Sequence, residues 1–277
     1  KKMNDRFSQY VSQQTDLFIP FIVAGDPSSE VTIELALALE SSGVNAIELG
    51  IPYSDPLADG PVIQSASARA LKTGMTLEKA IFLVSDMRKK GLKIPVIIFT
   101  YYNLLLQLGI DRFFALMQEH DVDGLLVPDL PFEESEELRR RCEEENVTYI
   151  SLVAPTTSDQ RLVEIARHAK GFLYCVSSLG VTGMRQEFHP SVYAFLKKVR
   201  NLATVPVAVG FGVSRPAQVE ELKSHCDGVV VGSAIVKQVE EKETKLLNPS
   251  TRKEAISEIS HYVLSLIEPY RIKEEVD

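Results

Sequence analysis

Eight short, strongly apolar runs recur along the chain, at 17–25, 46–52, 95–102, 124–131, 148–155, 171–178, 206–212 and 228–234. Most are continuously apolar and do not alternate with polar residues, as in LFIPFIVAG and GVVVGSA. That is the pattern of strands covered on both faces, which occur in parallel sheets wrapped by helices. Segments with apolar residues at helical spacing separate them: 29–42, ending at Gly43; 76–90, opening on Thr76 as a cap and stopping at Gly91; then 158–169, 216–225 and 250–267. Strand then helix, eight times in about 250 residues, predicts an α/β chain folded as a (β/α)8 barrel, a TIM barrel. An open doubly wound sheet is the alternative, because alternation alone does not show closure. No Ser/Gly-rich linker divides residues 1–277, so one domain is expected. A long connection at 61–90 supplies extra helices, and 271–277 (RIKEEVD) reads as a frayed tail.

The charge balance narrows the function. A formal net charge of −8 argues against the basic face that nucleic-acid binders carry, and the run Glu143-Glu144-Glu145 fits a solvated helix face. No apolar stretch approaches the roughly 20 residues that span a bilayer. KKMNDRFSQYV has basic residues with no apolar region behind them, so it does not read as a secretory signal. The three cysteines, Cys142, Cys175 and Cys226, lie far apart with no C-x-x-C, which points to reduced thiols and a cytoplasmic protein. The five histidines are scattered, so no metal site is expected.

In such barrels the working groups sit at the C-terminal strand ends and in the loops that follow. The segment ELGIPYSDPLADGPVIQ (48–64) places Glu48 near the end of the second strand and Asp59 in the loop after it. Glu48 interrupts an apolar run between Ile47 and Leu49. Burial there should raise its pKa towards neutrality, as suits a general acid/base, unless it serves a structural ion pair. Asp59 precedes Gly60-Pro61, where a helix start would favour the ionised form; a plain helix cap is the alternative. The two acids would then hold opposite protonation states, a workable catalytic pair. Asp55 reads as a turn former before Pro56. The loops after strands six, seven and eight carry SSLGVTG, GFG and GSA, with Gly180 and Gly183, Gly210 and Gly212 around Phe211, and Gly232-Ser233 opening a helical segment. Together they suggest a phosphate seat of backbone amides; singly, each is also an ordinary tight turn. Phe21, Tyr101, Leu126 and Tyr174 lie where they would bound a flat apolar group, though each would also serve as core. No lysine falls at a strand end (Lys237 is a turn into the last helical segment), which argues against Schiff-base chemistry. Acid/base chemistry on a phosphorylated substrate is what remains.

IELGIPYSDPLADGPVIQ, with PFIVAGDP, VPDLPFEES, LGVTG, GFGVS and GSAIV in the same order, closely resembles the tryptophan synthase alpha subunit family over essentially the whole chain. The resemblance implies cleavage of indole-3-glycerol phosphate to indole and glyceraldehyde 3-phosphate. It implies Glu48 and Asp59 as catalytic acids, Asp59 on the indole N–H and Glu48 moving protons, with Tyr174 beside Glu48. It gives Phe21, Tyr101 and Leu126 to the indole pocket and Gly183, Phe211, Gly212, Gly232 and Ser233 to the phosphate. Thr182 would close the strand-six loop by reaching Asp59. It implies a beta-subunit partner in an α2β2 complex, with pyridoxal phosphate in that partner and no cofactor in this chain, and it sets Pro52, Asp55 and Asn103 at or near the contact. One departure stands out: many relatives carry Arg where this chain has Ser178, followed here by Leu179. A phosphate-binding regulatory subunit and a different phosphosugar lyase or isomerase are the competing readings.

Overall fold

A computed structural model describes residues 6–12, 14–55, 59–176 and 188–272. Eight parallel strands form its sheet: β1 (Leu17–Val23), β2 (Ile47–Gly50), β3 (Val96–Phe99), β4 (Gly124–Leu126), β5 in two pieces (Thr148–Tyr149 and Ser151–Val153), β6 (Leu173–Val176), β7 (Val207–Gly210) and β8 (Gly228–Val231). The first piece of β5 pairs with β4 and the second with β6. The intervening Ile150 amide donates to the Leu125 carbonyl at 2.9 Å, so the two ends of the sheet are one strand and the sheet closes on itself.

Register gives the same answer. Partners followed from Phe21 pass through Glu48, Ile97 and Gly124 to Thr148. From Leu152, four residues further along β5, they pass through Tyr174, Ala208 and Gly228 to Leu17, four residues before Phe21. The stagger is four plus four, eight residues, which is the shear of a TIM barrel. The open-sheet alternative is excluded.

Side chains facing the bore, among them Ile19, Ile97, Leu126, Phe172 and Val230, form one interior cluster. Phe7 and Val11 close it from below, Phe7 being carried by the short helix Arg6–Tyr10. At that end Arg6 bridges Asp121 (2.6 Å) and Asp123 (3.1 Å), and Arg88 bonds the second Asp123 oxygen. That oxygen also accepts from the Val96 amide at 2.8 Å. The larger core lies between the strands and the outer helices.

The expected helix signals act as capping chemistry predicts. Thr76 accepts from the Lys79 amide at 3.2 Å, and Gly91 leaves the helix Leu77–Lys89 behind it at φ +103°. The long connection resolves into Pro61–Lys72 and Leu77–Lys89. The apolar run at 95–102 ends as a strand at Phe99, because Tyr102 opens the helix Tyr102–Leu108, its amide donating to Asp129 Oδ1 at 2.9 Å. The helices Ile110–Glu119, Glu136–Glu144 and Pro190–Leu202 were not anticipated. The last helix, Arg252–Arg271, runs further than expected and takes Arg271 from the supposed frayed tail; 273–277 lie outside the described residues. No helix among the described residues is long and apolar enough to cross a membrane.

Candidate active site

Glu48 has Phe21 and Ile97 as register partners. Parallel partners face the same way, so the carboxyl points into the bore. It is fully buried, and neither oxygen has a hydrogen-bond partner among the described residues. Burial alone pushes this carboxyl up to about 8, because a charge there would lose its hydration with no cation to replace it. At neutral pH Glu48 is therefore a neutral acid. The ion-pair alternative has no support among the described residues.

Tyr174, on β6, shares the bore. Burial first, and the charge of Glu48 second, hold its phenol well above the usual range. A Cβ at Gly210 would fall 2.4 Å from the Tyr174 hydroxyl oxygen, so Gly210 is accounted for by Tyr174 packing and not by an anion. Gly50 plays the same part for Phe21, where a Cβ would meet Phe21 Cζ at 2.4 Å. Phe21 in turn meets the Phe99 ring edge-on, with centroids 5.2 Å apart. Gly50→Ala is expected to displace the Phe21 ring, lowering the unfolding free energy by about 1–3 kcal/mol and raising KM. Urea unfolding and steady-state kinetics check this; parental values in both would show that Phe21 is not confined.

Past β2 the chain passes buried Pro52 and exposed Asp55; 56–58 lie outside the described residues. Asp59 follows, part-buried. It is not a helix cap. Gly60 holds the cap position of Pro61–Lys72, and Asp59 contributes only its carbonyl, which accepts from Gln64 Nε2 at 2.7 Å. Nor does the helix end hold it as a strong acid. Burial raises the Asp59 carboxyl above its ordinary value, and the Tyr101 hydroxyl, donating to it, works the other way. The expectation of opposite shifts is thus corrected: both acids move upward. Glu48 has nothing to oppose its burial, whereas Asp59 keeps a donor that favours the carboxylate. Tyr101 is buried, and Tyr53 stacks on it with centroids 5.0 Å apart and planes at 30°. Leu126 lies fully buried in the bore cluster with Ile97, below the mouth.

Further round the rim, beyond β1, Phe211 is buried and anchors the loop after β7, while Gly212 is exposed at φ +72°, a conformation that favours glycine. Gly232 occupies the cap position of the helix Ser233–Glu241 with no side-chain cap, and Ser233 is exposed. Amides of a first helical turn have no partner within the helix and carry its positive end, so this corner suits an anion. Thr182 and Gly183, with Ser178, Leu179 and Gly180, lie outside the described residues. Asn103 is exposed near the start of the helix Tyr102–Leu108. No cluster of three or more potential metal ligands occurs among the described residues.

Two cavities, of about 580 Å³ and 170 Å³, lie on the flank around Phe132, Arg161 and the outer side of β5; neither includes Glu48 or Asp59. The site is marked by chemistry and not by cavity size. Sequence reading missed Tyr53, Asp129 and the pair Asp26–Arg69.

A sequence model described as tryptophan synthase alpha chain matches residues 7–263. The tryptophan synthase alpha chain of Shouchella clausii is 59% identical over 267 residues, covering 96% of this chain and 98% of that one. That of Bacillus velezensis is 57% identical over 257 residues, covering 93% and 97%. Among solved structures, a chain from the tryptophan synthase α2β2 complex of Pyrococcus furiosus superposes with a TM-score of 0.84 at 38% identity, covering 92% of this chain and 99% of that one. The alpha subunit from Legionella pneumophila gives 0.82 at 32%, covering 92% of each.

Proposed function

The chain belongs to the tryptophan synthase alpha chain family, and from that premise we propose that Glu48 and Asp59 carry its reaction at the mouth of the barrel. The activity is that of a carbon–carbon lyase of tryptophan biosynthesis, cleaving indole-3-glycerol phosphate to indole and glyceraldehyde 3-phosphate. The observation that carries the assignment is the fully buried Glu48 carboxyl with both oxygens unpartnered.

Glu48 enters as the neutral acid and gives its proton to the ring carbon that bears the glycerol chain. Asp59, assisted by the Tyr101 hydroxyl, holds the indole N–H and stabilises the cation so formed. The Glu48 carboxylate then removes the proton of the adjacent glycerol hydroxyl. The C–C bond breaks, its electron pair returns to the ring, and indole and the aldehyde leave with Glu48 neutral again. Phe21, Tyr101 and Leu126 bound the ring and Tyr174 backs Glu48. Phe211, Gly212, Gly232 and Ser233 receive the phosphate; family membership assigns Gly183 to the same seat and Thr182 to closure towards Asp59.

The family's alpha chains carry no cofactor of their own; pyridoxal phosphate is assigned to the beta subunit. An α2β2 complex is the expected assembly, as in the Pyrococcus furiosus structure, with Pro52, Asp55 and Asn103 on the rim towards the partner and the pair resident in the cytoplasm. The test is indole release by Asp59→Asn, with and without a beta subunit. A loss of about 100-fold or more with unchanged circular dichroism is expected. Near-parental turnover would refute the role of Asp59.

A further inference from the structure

We infer that Arg69 is a positioning residue, which keeps Asp59 in register with the phosphate seat by tying three elements of the barrel mouth together. This rests on the catalytic assignment above and extends it to a residue outside the pocket.

Arg69 lies on the helix Pro61–Lys72, which begins two residues after Asp59. Its guanidinium grips Asp26 with two bonds, Nε to Oδ1 at 2.8 Å and Nη2 to Oδ2 at 3.1 Å. The remaining nitrogen, Nη1, reaches Glu240 Oε1 at 3.1 Å. Asp26 is in the loop that leaves β1 and is almost completely buried, its side chain 3% exposed. Glu240 is in the last turn of Ser233–Glu241, the helix whose first turn forms the phosphate corner. One planar cation thus joins the loop after β1, the helix that follows Asp59, and the helix that receives the phosphate.

A helix is stiff over such lengths. From Arg69 to Pro61 is about 12 Å of rod, and from Glu240 to Ser233 about 10 Å. A shift at the guanidinium therefore appears at both working ends, and a displacement of about 1 Å at a reacting group costs about 10²-fold in rate. Lysine cannot replace this arrangement, because a single ammonium has no fork to hold Asp26 with two bonds while reaching Glu240. A site serving only stability would instead accept any cation that pairs with Asp26.

The experiment measures kcat and KM for indole release at a temperature where near-ultraviolet circular dichroism shows every chain folded. Arg69→Gln is expected to lower kcat by about tenfold or more with KM within about threefold of the parent, and Arg69→Lys to recover only a small part of the loss. Glu240→Gln leaves the Asp26 grip intact and folds even if the Arg69 variants do not. It is expected to lower kcat about two- to fivefold at unchanged KM. Parental kcat in Arg69→Gln or Glu240→Gln, a loss confined to KM, or full recovery in Arg69→Lys would overturn the positioning role. Asp59→Asn, run alongside, separates the two readings. Near-parental turnover there overturns the catalytic assignment itself, whereas normal Arg69→Gln beside inactive Asp59→Asn overturns only the inference about Arg69.

Discussion

Glu48→Gln is expected to lose about 10²- to 10⁴-fold in indole release while its circular dichroism stays that of the parent and its melting temperature at neutral pH is no lower than the parent's. The size follows from two proton transfers resting on one group. Glutamine can neither give a proton to the ring carbon nor take one from the glycerol hydroxyl. The structural tolerance follows from the same geometry. Glu48 is buried without a hydrogen-bond partner among the described residues and is neutral at pH 7. An amide of equal size therefore breaks no ion pair and strands no partner. A buried acid serving structure would show the reverse, a large stability loss with activity falling only as the fold fails. Turnover within about tenfold of the parent would remove Glu48 from the mechanism.

The second large effect is on stability against pH. Burial pushes the Glu48 carboxyl up to about 8 in the folded chain, from an ordinary 4.5. Between those values the folded state keeps a proton that the unfolded state has released, so raising pH favours unfolding. The contribution is fully present below about 4.5 and is lost as pH rises through 8, at about 1.4 kcal/mol per pH unit and on the order of 5 kcal/mol in all. Glu48→Gln lacks this dependence. Urea unfolding of both chains between pH 5 and pH 9 should therefore show the parent losing several kcal/mol relative to the variant. Parallel curves would mean that Glu48 is solvated or paired when the chain folds.

Much of this was legible in the chain. Continuously apolar runs forced two-sided burial, and the alternation with helical segments limited the topology to a closed or an open parallel sheet. Closure was not legible, because it depends on a stagger of eight residues that only pairing reveals. Glu136–Glu144 escaped notice because EELRRRCEE buries only Leu138 and Cys142, one residue per turn, too narrow a stripe to read as periodicity. Glu48 was readable because an acid in an apolar strand has few uses. Asp59 was only half readable. Its place before Gly60-Pro61 suggested a helix end, but its ionisation is set by burial and by Tyr101, some forty positions along the chain. Arg69 lay beyond sequence reading because its partners, Asp26 and Glu240, are 43 and 171 positions away.

Glu48 enters the reaction as a buried neutral acid, and carbon-13 NMR titration of side-chain carboxyls in the free chain reads that proton itself, with the Glu48 signal assigned by its absence from Glu48→Gln. A carboxyl that stays protonated through neutrality and titrates near 8 is the predicted result. A Glu48 signal that titrates in the ordinary glutamate range would contradict the account.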